Sequence, residues 1–466
     1  MMDSQYNPST VQPSLPAGGA DPERFDPQEV WYPVYYLEDL DKRKLTTFTL
    51  LGQNLVIWWD QTTEHWRAFR DRCPHRLAPL SEGRINEEGL LECPYHGWTF
   101  SGQGHCESIP QQVAGGQAQG SQRACVQSFP TRAKQGLLFV YPGNPERAMQ
   151  TALPLVDVLD ESGEEWVCLN TFRDLPYDAF TLLENVLDPS HIPYTHHRTV
   201  GNRANVGPVE LEIIQADRQG FTGIWAEGPR QGKLGTQYTT FIAPSLMWHD
   251  LTSQQFGRTL TVVYATPIRQ GECRLFARFP FKFPTKFPRL AIKLTPRWYS
   301  HLGQNRILED DQIFLHFQER YLEDLGGSEN FAKAFYLPTK ADLFVSSFRQ
   351  WVNHYQVVLF PGASFSPPLS SKILLDRYYS HTEKCASCRG ALANLKRLRS
   401  SSLILGAIAL SLMPLFLVTG INSELMAILD SGIIALSAVL WFGLGKFEQS
   451  FYQGQPIPPR NLPEKK

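Results

Sequence analysis

This sequence has few cysteines and little net charge, and its start lacks the pattern of a leader segment. Only eight cysteines occur in 466 residues, which excludes a disulfide-stapled secreted domain and indicates a reducing compartment. The 44 Lys and Arg residues nearly balance 46 Asp and Glu, so broad electrostatic capture of nucleic acid is not expected. The first 27 residues carry neither an apolar signal-peptide run nor an Arg-rich amphipathic stretch, so no signal or transit peptide is predicted. No Gly-rich dinucleotide fingerprint joins a strand to a helix, and direct use of NADPH is not expected.

The composition instead indicates a folded, turn-rich chain of several units. Hydrophobic residues make up 42% of the chain, and 34 Gly with 34 Pro favour many turns and a β-rich architecture. We expect an α+β fold, in which a β-rich domain precedes a second domain built on an antiparallel sheet. The predicted segments are a disordered tail (1–27), a first domain (28–143), a second domain (144–375), a linker (376–400), a transmembrane hairpin (401–446) and a tail (447–466).

Two apolar runs near the end of the chain predict the membrane hairpin. Residues 403–418 and 426–444 are each almost wholly apolar, at the short end of the roughly 17 to 25 residues that span a bilayer. A buried helical hairpin is the alternative. The connecting turn lacks basic residues, whereas they flank the outer ends at Arg389, Lys396, Arg397, Arg399 and Lys446. The positive-inside rule therefore predicts that both ends and the soluble part face the cytoplasmic or stromal side.

One motif near the start of the chain carries a metal-ligand pattern. Cys73 and His75, then Cys93 and His96, form C-x-H-x17-C-x-x-H. Two thiolates suit one iron of a [2Fe-2S] cluster and two imidazoles suit the other. A structural Cys2His2 zinc site is the alternative, although zinc fingers usually place a Cys pair before a His pair on a helix. Cys106 is expected to be a buried free thiol.

The residues around this motif resemble the Rieske domain of Rieske non-haem iron oxygenases, and in particular the pheophorbide a oxygenase group. That group also includes Rieske proteins associated with the chloroplast protein-import translocon. The resemblance rests on Asp71-Arg72-Cys73-Pro74-His75-Arg76-Leu77-Ala78-Pro79-Leu80-Ser81-Glu82-Gly83-Arg84, on Tyr95-His96-Gly97-Trp98 and on Cys106-Glu107-Ser108-Ile109-Pro110-Gln111. It covers about residues 28 to 390 and implies a β-rich Rieske domain followed by a helix-grip-like antiparallel-sheet catalytic domain.

A second motif suits a mononuclear iron. His191 lies three residues after Asp188 and five before His196, and His197 follows. Two imidazoles and one carboxylate typically face a non-haem Fe(II) that must also hold O2 and substrate. Residues five apart diverge by roughly 140° on an ideal helix, and Pro193 supplies the break that convergence requires. The family pattern favours His196 over His197. Asp188 is expected to accept the outer N–H of His191, to cap a helix, or to do both.

The third iron ligand is expected far downstream. Residues 307–318 resemble the family segment that supplies the carboxylate, and aligning Gln318 selects Asp311, with Asp310 in reserve. An acidic surface turn at the start of a helix is the alternative.

A C-x-x-C pair, Cys385 and Cys388, precedes the membrane hairpin, after a stretch (376–381) that resembles the C-terminal signature of the same group. Such a pair can form a reversible disulfide, and in such relatives it is a proposed target of thioredoxin. Half a zinc site or a passive thiol pair is the alternative.

The resemblance implies a membrane-anchored monooxygenase that inserts oxygen from O2 into a chlorophyll-derived tetrapyrrole: pheophorbide a, chlorophyllide or protochlorophyllide, or a related catabolite. Its cofactors would be the Rieske [2Fe-2S] cluster and a mononuclear Fe(II), and ferredoxin or a reductase would donate electrons. A homotrimer is implied, in which Asp188 bridges electron transfer from one subunit's His96 to the next subunit's His191. We expect a cyanobacterial-type protein of the thylakoid or plasma membrane. The alternative is a membrane-bound electron-transfer or translocon-associated redox protein without oxygenase activity.

Overall fold

The computed structural model describes residues 24–160, 166–419 and 423–463. The predicted disordered tail falls almost wholly on residues 1–23, which lie outside the described residues. Of the hairpin turn predicted near residues 422–424, residue 422 also lies outside them, whereas Ser423 and Glu424 begin the last long helix. The chain divides into two compact units, of which the first comprises Met1–Leu294, Asp310–Pro368 and Pro459–Lys466. The second comprises Thr295–Glu309 and Leu369–Pro458. The finer division into six segments stays a prediction.

The first part of unit 1 consists of three small antiparallel sheets. Their orders are β1-β11-β10, β2-β3-β4-β9 and β5-β6-β7-β8. The strands are β1 (Tyr32–Tyr36), β2 (Thr46–Leu50), β3 (Gln53–Asp60), β4 (His65–Arg70), β5 (Arg84–Ile85), β6 (Leu91–Glu92), β7 (Thr99–Phe100), β8 (Cys106–Ser108), β9 (Ser128–Phe129), β10 (Thr131–Lys134) and β11 (Leu137–Val140).

Strand β3 shows why this part holds two separate hydrophobic cores. Successive side chains of a strand point to opposite faces of its sheet. Leu55 and Ile57 accordingly pack in one core, and Val56 and Trp58 pack in the other. The second core also contains both cysteines of the first metal motif, so the apolar pattern of a single strand helps to bury the thiols.

The second part of unit 1 is built on one seven-stranded antiparallel sheet of order β12-β18-β17-β16-β15-β14-β13. Its strands are β12 (Val167–Leu175), β13 (Leu211–Asp217), β14 (Gly220–Trp225), β15 (Gln237–Ile242), β16 (Leu246–Ser253), β17 (Gly257–Arg269) and β18 (Glu272–Lys282). Together with the helices below, this sheet confirms the predicted α+β class.

The described helices are α1 (Pro145–Ala148), α2 (Ala179–Leu187), α3 (Ile192–Thr195), α4 (Lys286–Leu294), α5 (Arg297–Asp324), α6 (Phe331–Ala334), α7 (Leu343–His354), α8 (Ser371–Leu374), α9 (Ala386–Thr419) and α10 (Ser423–Glu448). A π-helical turn, Tyr378–Thr382, precedes α9. Helices α2, α3 and α5 carry the second metal motif and the predicted carboxylate.

The last two helices, in unit 2, are long and apolar enough to cross a membrane by length and composition, over Ala386–Leu415 and Glu424–Phe451. They pack antiparallel, because Arg399 forms an ion pair with Glu448 at 3.0 Å while Gly406 lies beside Ser437. Within an apolar 18-residue part of each of these helices, only 11% of the residues are buried within the protein. A single hairpin therefore leaves most of its apolar surface uncovered.

Candidate metal centres

Two loops with matching backbone geometry present the cysteines of the first motif. In each loop the residue four positions after the cysteine has a positive φ, 62° at Leu77 and 73° at Gly97. The N–H of that residue donates back to the cysteine carbonyl, at 3.0 Å for Cys73 and 3.1 Å for Cys93. A positive φ is uncommon for a residue with a Cβ, so the first loop adopts this turn in spite of Leu77.

The four side chains of this motif divide by exposure. Cys73 and Cys93 are buried, whereas His75 is exposed and His96 is half-buried. The two imidazole rings lie 4.6 Å apart, and Trp98 stacks on His75 with its ring plane only 7° away. Burial raises the pKa of the Cys73 thiol to about 12, so a bound metal would have to displace its proton. Two buried sulfurs beside one exposed and one half-buried imidazole fit the ligand set of a Rieske cluster. Cys106 is also buried and free.

The second motif folds as a broken helical segment. Helix α2 ends at Leu187, and α3 contains only the four residues Ile192–Thr195, with Pro193 in its first turn. His191 precedes α3 and His196 follows it, which leaves their ring centroids 5.2 Å apart. Asp311 on α5 joins them, and one ligand atom from each of the three residues lies within 4.8 Å of the others. Residues more than a hundred positions apart in the chain thus meet in unit 1.

The two nitrogens of His196 face different carboxylates. Nε2 lies 3.3 Å from Oδ2 of Asp311, and Nδ1 lies 3.3 Å from Oδ2 of Asp310. Thr199 donates its hydroxyl to the same Asp310 oxygen at 2.8 Å. Desolvation by burial lowers the pKa of His196, but hydrogen bonds and Coulombic attraction from both carboxylates outweigh it and raise the pKa to about 9. A proton held on Nδ1 by Asp310 leaves Nε2 for a metal.

One oxygen of Asp311 indicates that a cation fits here. Oδ1 is buried and has no hydrogen-bond partner among the residues that the structure describes. A buried carboxylate oxygen without a partner carries a large desolvation cost. A divalent cation coordinated by this oxygen and by two imidazoles would offset the cost. Two His and one carboxylate form the facial ligand set typical of non-haem iron.

Asp188 accepts the outer N–H of His191 through its main-chain carbonyl and not through its carboxylate. The outer Nδ1 of His191 bonds to the main-chain carbonyl of Asp188 at 2.6 Å, while the nearer carboxylate oxygen is 3.8 Å away. The other carboxylate oxygen accepts from the N–H and hydroxyl of Ser190, at 2.7 and 2.6 Å. The carbonyl therefore orients the imidazole, and the carboxylate closes a turn at the start of the segment.

His197 lies outside the group formed by His191, His196 and Asp311. Its Nδ1 accepts the backbone N–H of Arg203 at 3.2 Å. Sequence reasoning left His197 open and treated Asp310 only as a reserve ligand. Adjacent residues of a helix point about 100° apart. On α5, therefore, only Asp311 points toward the two imidazoles together, and Asp310 contacts the other nitrogen of His196.

A buried polar network ties together the helices that present the second motif. Glu184 on α2 accepts from Arg349 on α7 at 2.5 Å and from Gln318 on α5 at 2.9 Å. Gln318 is the residue on which the family alignment of Asp311 depends. Gln318 therefore has a structural role, because its bond to Glu184 links α5 to α2. The ion pair between Glu184 and Arg349 is buried, and removing one partner of a buried ion pair is strongly destabilising.

Comparisons with known proteins give consistent results. A family model described as the Rieske [2Fe-2S] domain matches residues 30–130, and one described as pheophorbide a oxygenase matches residues 241–329. The chain is 38% identical to a chloroplastic pheophorbide a oxygenase of Oryza sativa subsp. japonica, over 84% of this chain and 77% of that one. It is 33% identical to flavonoid 8-hydroxylase 2 of Ocimum basilicum, over 92% and 85% respectively. Among solved structures, dicamba monooxygenase superposes with a TM-score of 0.56 at 22% identity, over 71% of this chain and 97% of that chain, which shows a shared fold.

Proposed function

Because the chain belongs to the pheophorbide a oxygenase group of Rieske non-haem iron oxygenases, we propose that it inserts one atom of O2 into a chlorophyll-derived tetrapyrrole, with electrons from ferredoxin or a reductase. Family membership makes the protein an oxygenase whose cofactors are a Rieske [2Fe-2S] cluster and a mononuclear iron. The observation that carries the proposal is the convergence of His191, His196 and Asp311.

In this proposal, Cys73, His75, Cys93 and His96 hold the cluster, while His191, His196 and Asp311 hold the iron. When bound, the cluster supplies single electrons and the iron supplies O2-activating redox chemistry. The protein's own part is to orient the ligands. Asp310 keeps the proton of His196 on Nδ1, and the carbonyl of Asp188 does the same for His191, so both rings offer Nε2.

The exposed imidazole edge of the cluster site supports the implied homotrimer. Leu77 and Tyr95, in the two loops of this site, are 63% and 56% exposed and leave apolar surface available to a partner. A neighbouring subunit would cover this surface. The Asp188 carboxylate is 26% exposed, and in the trimer we assign it the bridging position between His96 of one subunit and His191 of the next.

The uncovered apolar faces of α9 and α10 support a membrane anchor. A helix that is apolar over its length and little buried within the protein finds its partner in lipid. The basic residues at the outer ends of the two helices support a location of the catalytic part on the cytoplasmic or stromal side, and we propose a thylakoid or plasma membrane. A membrane location would give access to substrates that partition into lipid.

The substrate proposal follows the pheophorbide a oxygenases, and the flavonoid hydroxylase supplies the comparison that tests it. The holoenzyme, in detergent or nanodiscs, is incubated with reduced ferredoxin, ¹⁸O2 and a panel of pheophorbide a, chlorophyllide, protochlorophyllide and a flavone. We expect mass spectrometry to show one ¹⁸O in a tetrapyrrole product. Asp311→Ala, with its cluster retained, is the matched control and should give none. Labelling of the flavone alone, or of no compound by an iron-replete enzyme, would overturn the tetrapyrrole assignment.

A further inference from the structure

A third group of metal-binding side chains lies in unit 2 and shares no residue with either centre described above. It consists of His301, His381, Cys385 and Cys388, all at most 1% exposed. One ligand atom from each residue lies within 4.8 Å of the other three. Neither cysteine forms a disulfide in the part of the chain that the structure describes.

The spacing of these atoms matches the edges of a tetrahedron around one ion. Nδ1 of His301 lies 3.6 Å from Sγ of Cys385 and 3.5 Å from Sγ of Cys388, and Nε2 of His381 lies 3.3 Å from Sγ of Cys388. The two nitrogens are 2.9 Å apart. Tetrahedral zinc, with bonds of about 2.3 Å to sulfur and about 2.0 Å to nitrogen, requires about 3.6 Å between S and N and about 3.3 Å between the two nitrogens.

We propose that His301, His381, Cys385 and Cys388 bind one structural zinc ion. A two-iron cluster does not fit, because it would place sulfur and nitrogen ligands on different metals, separated by far more than one tetrahedral edge. The four protein ligands complete the coordination of zinc and leave no open position, as is typical of a structural site.

The charges of this site balance. Binding converts two thiols to thiolates and releases two protons to solvent, so the two negative charges cancel the two positive charges of zinc. The resulting neutral centre suits a fully buried position, where an uncompensated charge would be costly. No electron transfer is involved, because zinc has no redox chemistry in proteins.

Local helical geometry aligns three of the ligands. His381, Cys385 and Cys388 follow H-x3-C-x2-C, and the N–H of Cys385 donates to the carbonyl of His381 at 3.0 Å, as in a helical turn. Such spacing places side chains on one face. His301 arrives from the start of α5, eighty residues before His381. The ion would therefore tie the first turns of α5 to the segment that leads into α9.

A second contact in unit 2 also links the start of α5 to the segment that precedes α9. Arg377, four residues before His381, makes a bidentate ion pair with Glu309 on α5 at 2.6 and 2.7 Å. Both side chains are buried. Zinc at one end of residues 301–309 and this ion pair at the other would hold the segment that immediately precedes Asp310 and Asp311 in the chain.

Zinc coordination competes with the redox role that the C-x-x-C spacing suggested. A disulfide between Cys385 and Cys388 can form only after the ion leaves, since each sulfur uses its thiolate charge for the metal. The thioredoxin-sensitive switch stays an untested prediction. The zinc proposal is independent of the proposed oxygenase reaction.

The first test is metal analysis of the purified full-length holoenzyme. We expect about one zinc per chain beside about three irons. Cys385→Ser and Cys388→Ser should each lower the zinc content at least tenfold and keep the Rieske electron paramagnetic resonance signal. Cys93→Ser should do the reverse, losing the Rieske signal and keeping the zinc. Cys273→Ala, which removes another buried free thiol, is the matched control and should keep both metals.

A second test uses only the wild-type protein, so it holds even where variants fold poorly. X-ray absorption at the zinc edge should show two sulfur and two nitrogen neighbours. Alkylation followed by peptide mass spectrometry should show Cys385 and Cys388 protected until a strong chelator is added. The proposal would be overturned by an iron-replete enzyme with less than about a tenth of a zinc per chain, or by serine variants that keep as much zinc as the wild type. An isolated peptide carrying a disulfide between the two cysteines would also overturn it.

Discussion

Replacing Asp310 with alanine should weaken iron binding without abolishing it. Asp310 accepts from Nδ1 of His196, while the opposite ring nitrogen faces Asp311. Alanine removes the group that keeps the proton on Nδ1 and a negative charge that favours a nearby cation. Loss of such an outer partner typically costs about 10- to 100-fold in metal affinity.

The structure places the expected effect at the lower end of that range. The Asp310–His196 distance is 3.3 Å, longer than the roughly 2.7 to 2.9 Å of a strong charge-assisted hydrogen bond. We therefore expect about a tenfold rise in the Kd for Fe(II), or about 1.4 kcal/mol. Competition with a ferrous chelator measures this Kd on protein whose Rieske signal is intact.

Two further variants make this result interpretable. Thr199→Val removes the hydroxyl that bonds at 2.8 Å both to Asp310 and to the main-chain carbonyl of His196, but it keeps the Asp310 carboxylate and should raise the Kd less than Asp310→Ala does. Asp311→Ala removes a proposed ligand and should eliminate stoichiometric iron, leaving about two irons per chain in place of about three. The reasoning is refuted by unchanged iron affinity in Asp310→Ala. A greater loss of iron from Asp310→Ala than from Asp311→Ala would reverse the two roles.

Three other variants test the proposed electron path and the stability of each unit. Asp188→Asn should leave the Rieske signal intact but slow reoxidation of the reduced cluster by O2 and substrate in stopped-flow absorbance, because a neutral amide replaces the bridging carboxylate. Glu319→Gln should flatten the dependence of Tm on pH. Burial, helped by a neighbouring carboxyl group, raises the pKa of Glu319 from 4.5 to about 8. The folded wild type therefore holds a proton that the unfolded chain has lost, and its stability falls as pH rises from about 4.5 to about 8. Gly454→Ala should lower the free energy of unfolding by about 1–3 kcal/mol in urea denaturation, because its Cβ would lie 2.5 Å from the Glu309 carboxylate that Arg377 holds.

Each of these outcomes has a clear opposite. Unchanged turnover and cluster reoxidation in Asp188→Asn would remove its bridging role. Parallel Tm–pH curves for the wild type and Glu319→Gln would mean that this carboxyl group titrates alike in the folded and unfolded chain. Gly303→Ala is the control for the glycine variant, since its Cβ meets no atom within 4 Å in helix α5. An equal loss of stability in both glycine variants would contradict the close-contact argument.

The cluster motif was readable from the sequence because its chemistry is local. Cys73 with His75, and Cys93 with His96, each lie within one tight loop, so the order of residue types already specifies which atoms can meet. The structure adds the burial of the sulfurs and the exposure of the rings. The burial follows from the face of β3 that carries Val56 and Trp58, which share a core with both cysteines.

The second motif was only partly readable. Its two imidazoles are close in sequence, and Pro193 marked the break between them. The structure was needed to place His196 rather than His197 beside Asp311, because that choice depends on where α3 ends. Asp311 itself was accessible through family resemblance alone, since a carboxylate more than a hundred residues away leaves no spacing signal.

The sequence by itself determined the α+β class, the family, the cluster loops and the apolar helices, since each depends on residues near one another in the chain. Tertiary structure alone decided how Asp310 and Asp311 divide their contacts with His196, because the phase of α5 directs adjacent side chains to different atoms. It also brought His301 to the C-x-x-C pair across eighty residues. Local sequence patterns do not predict this contact, because the fold of the chain, and not the spacing of residues along the sequence, sets the distance between those atoms.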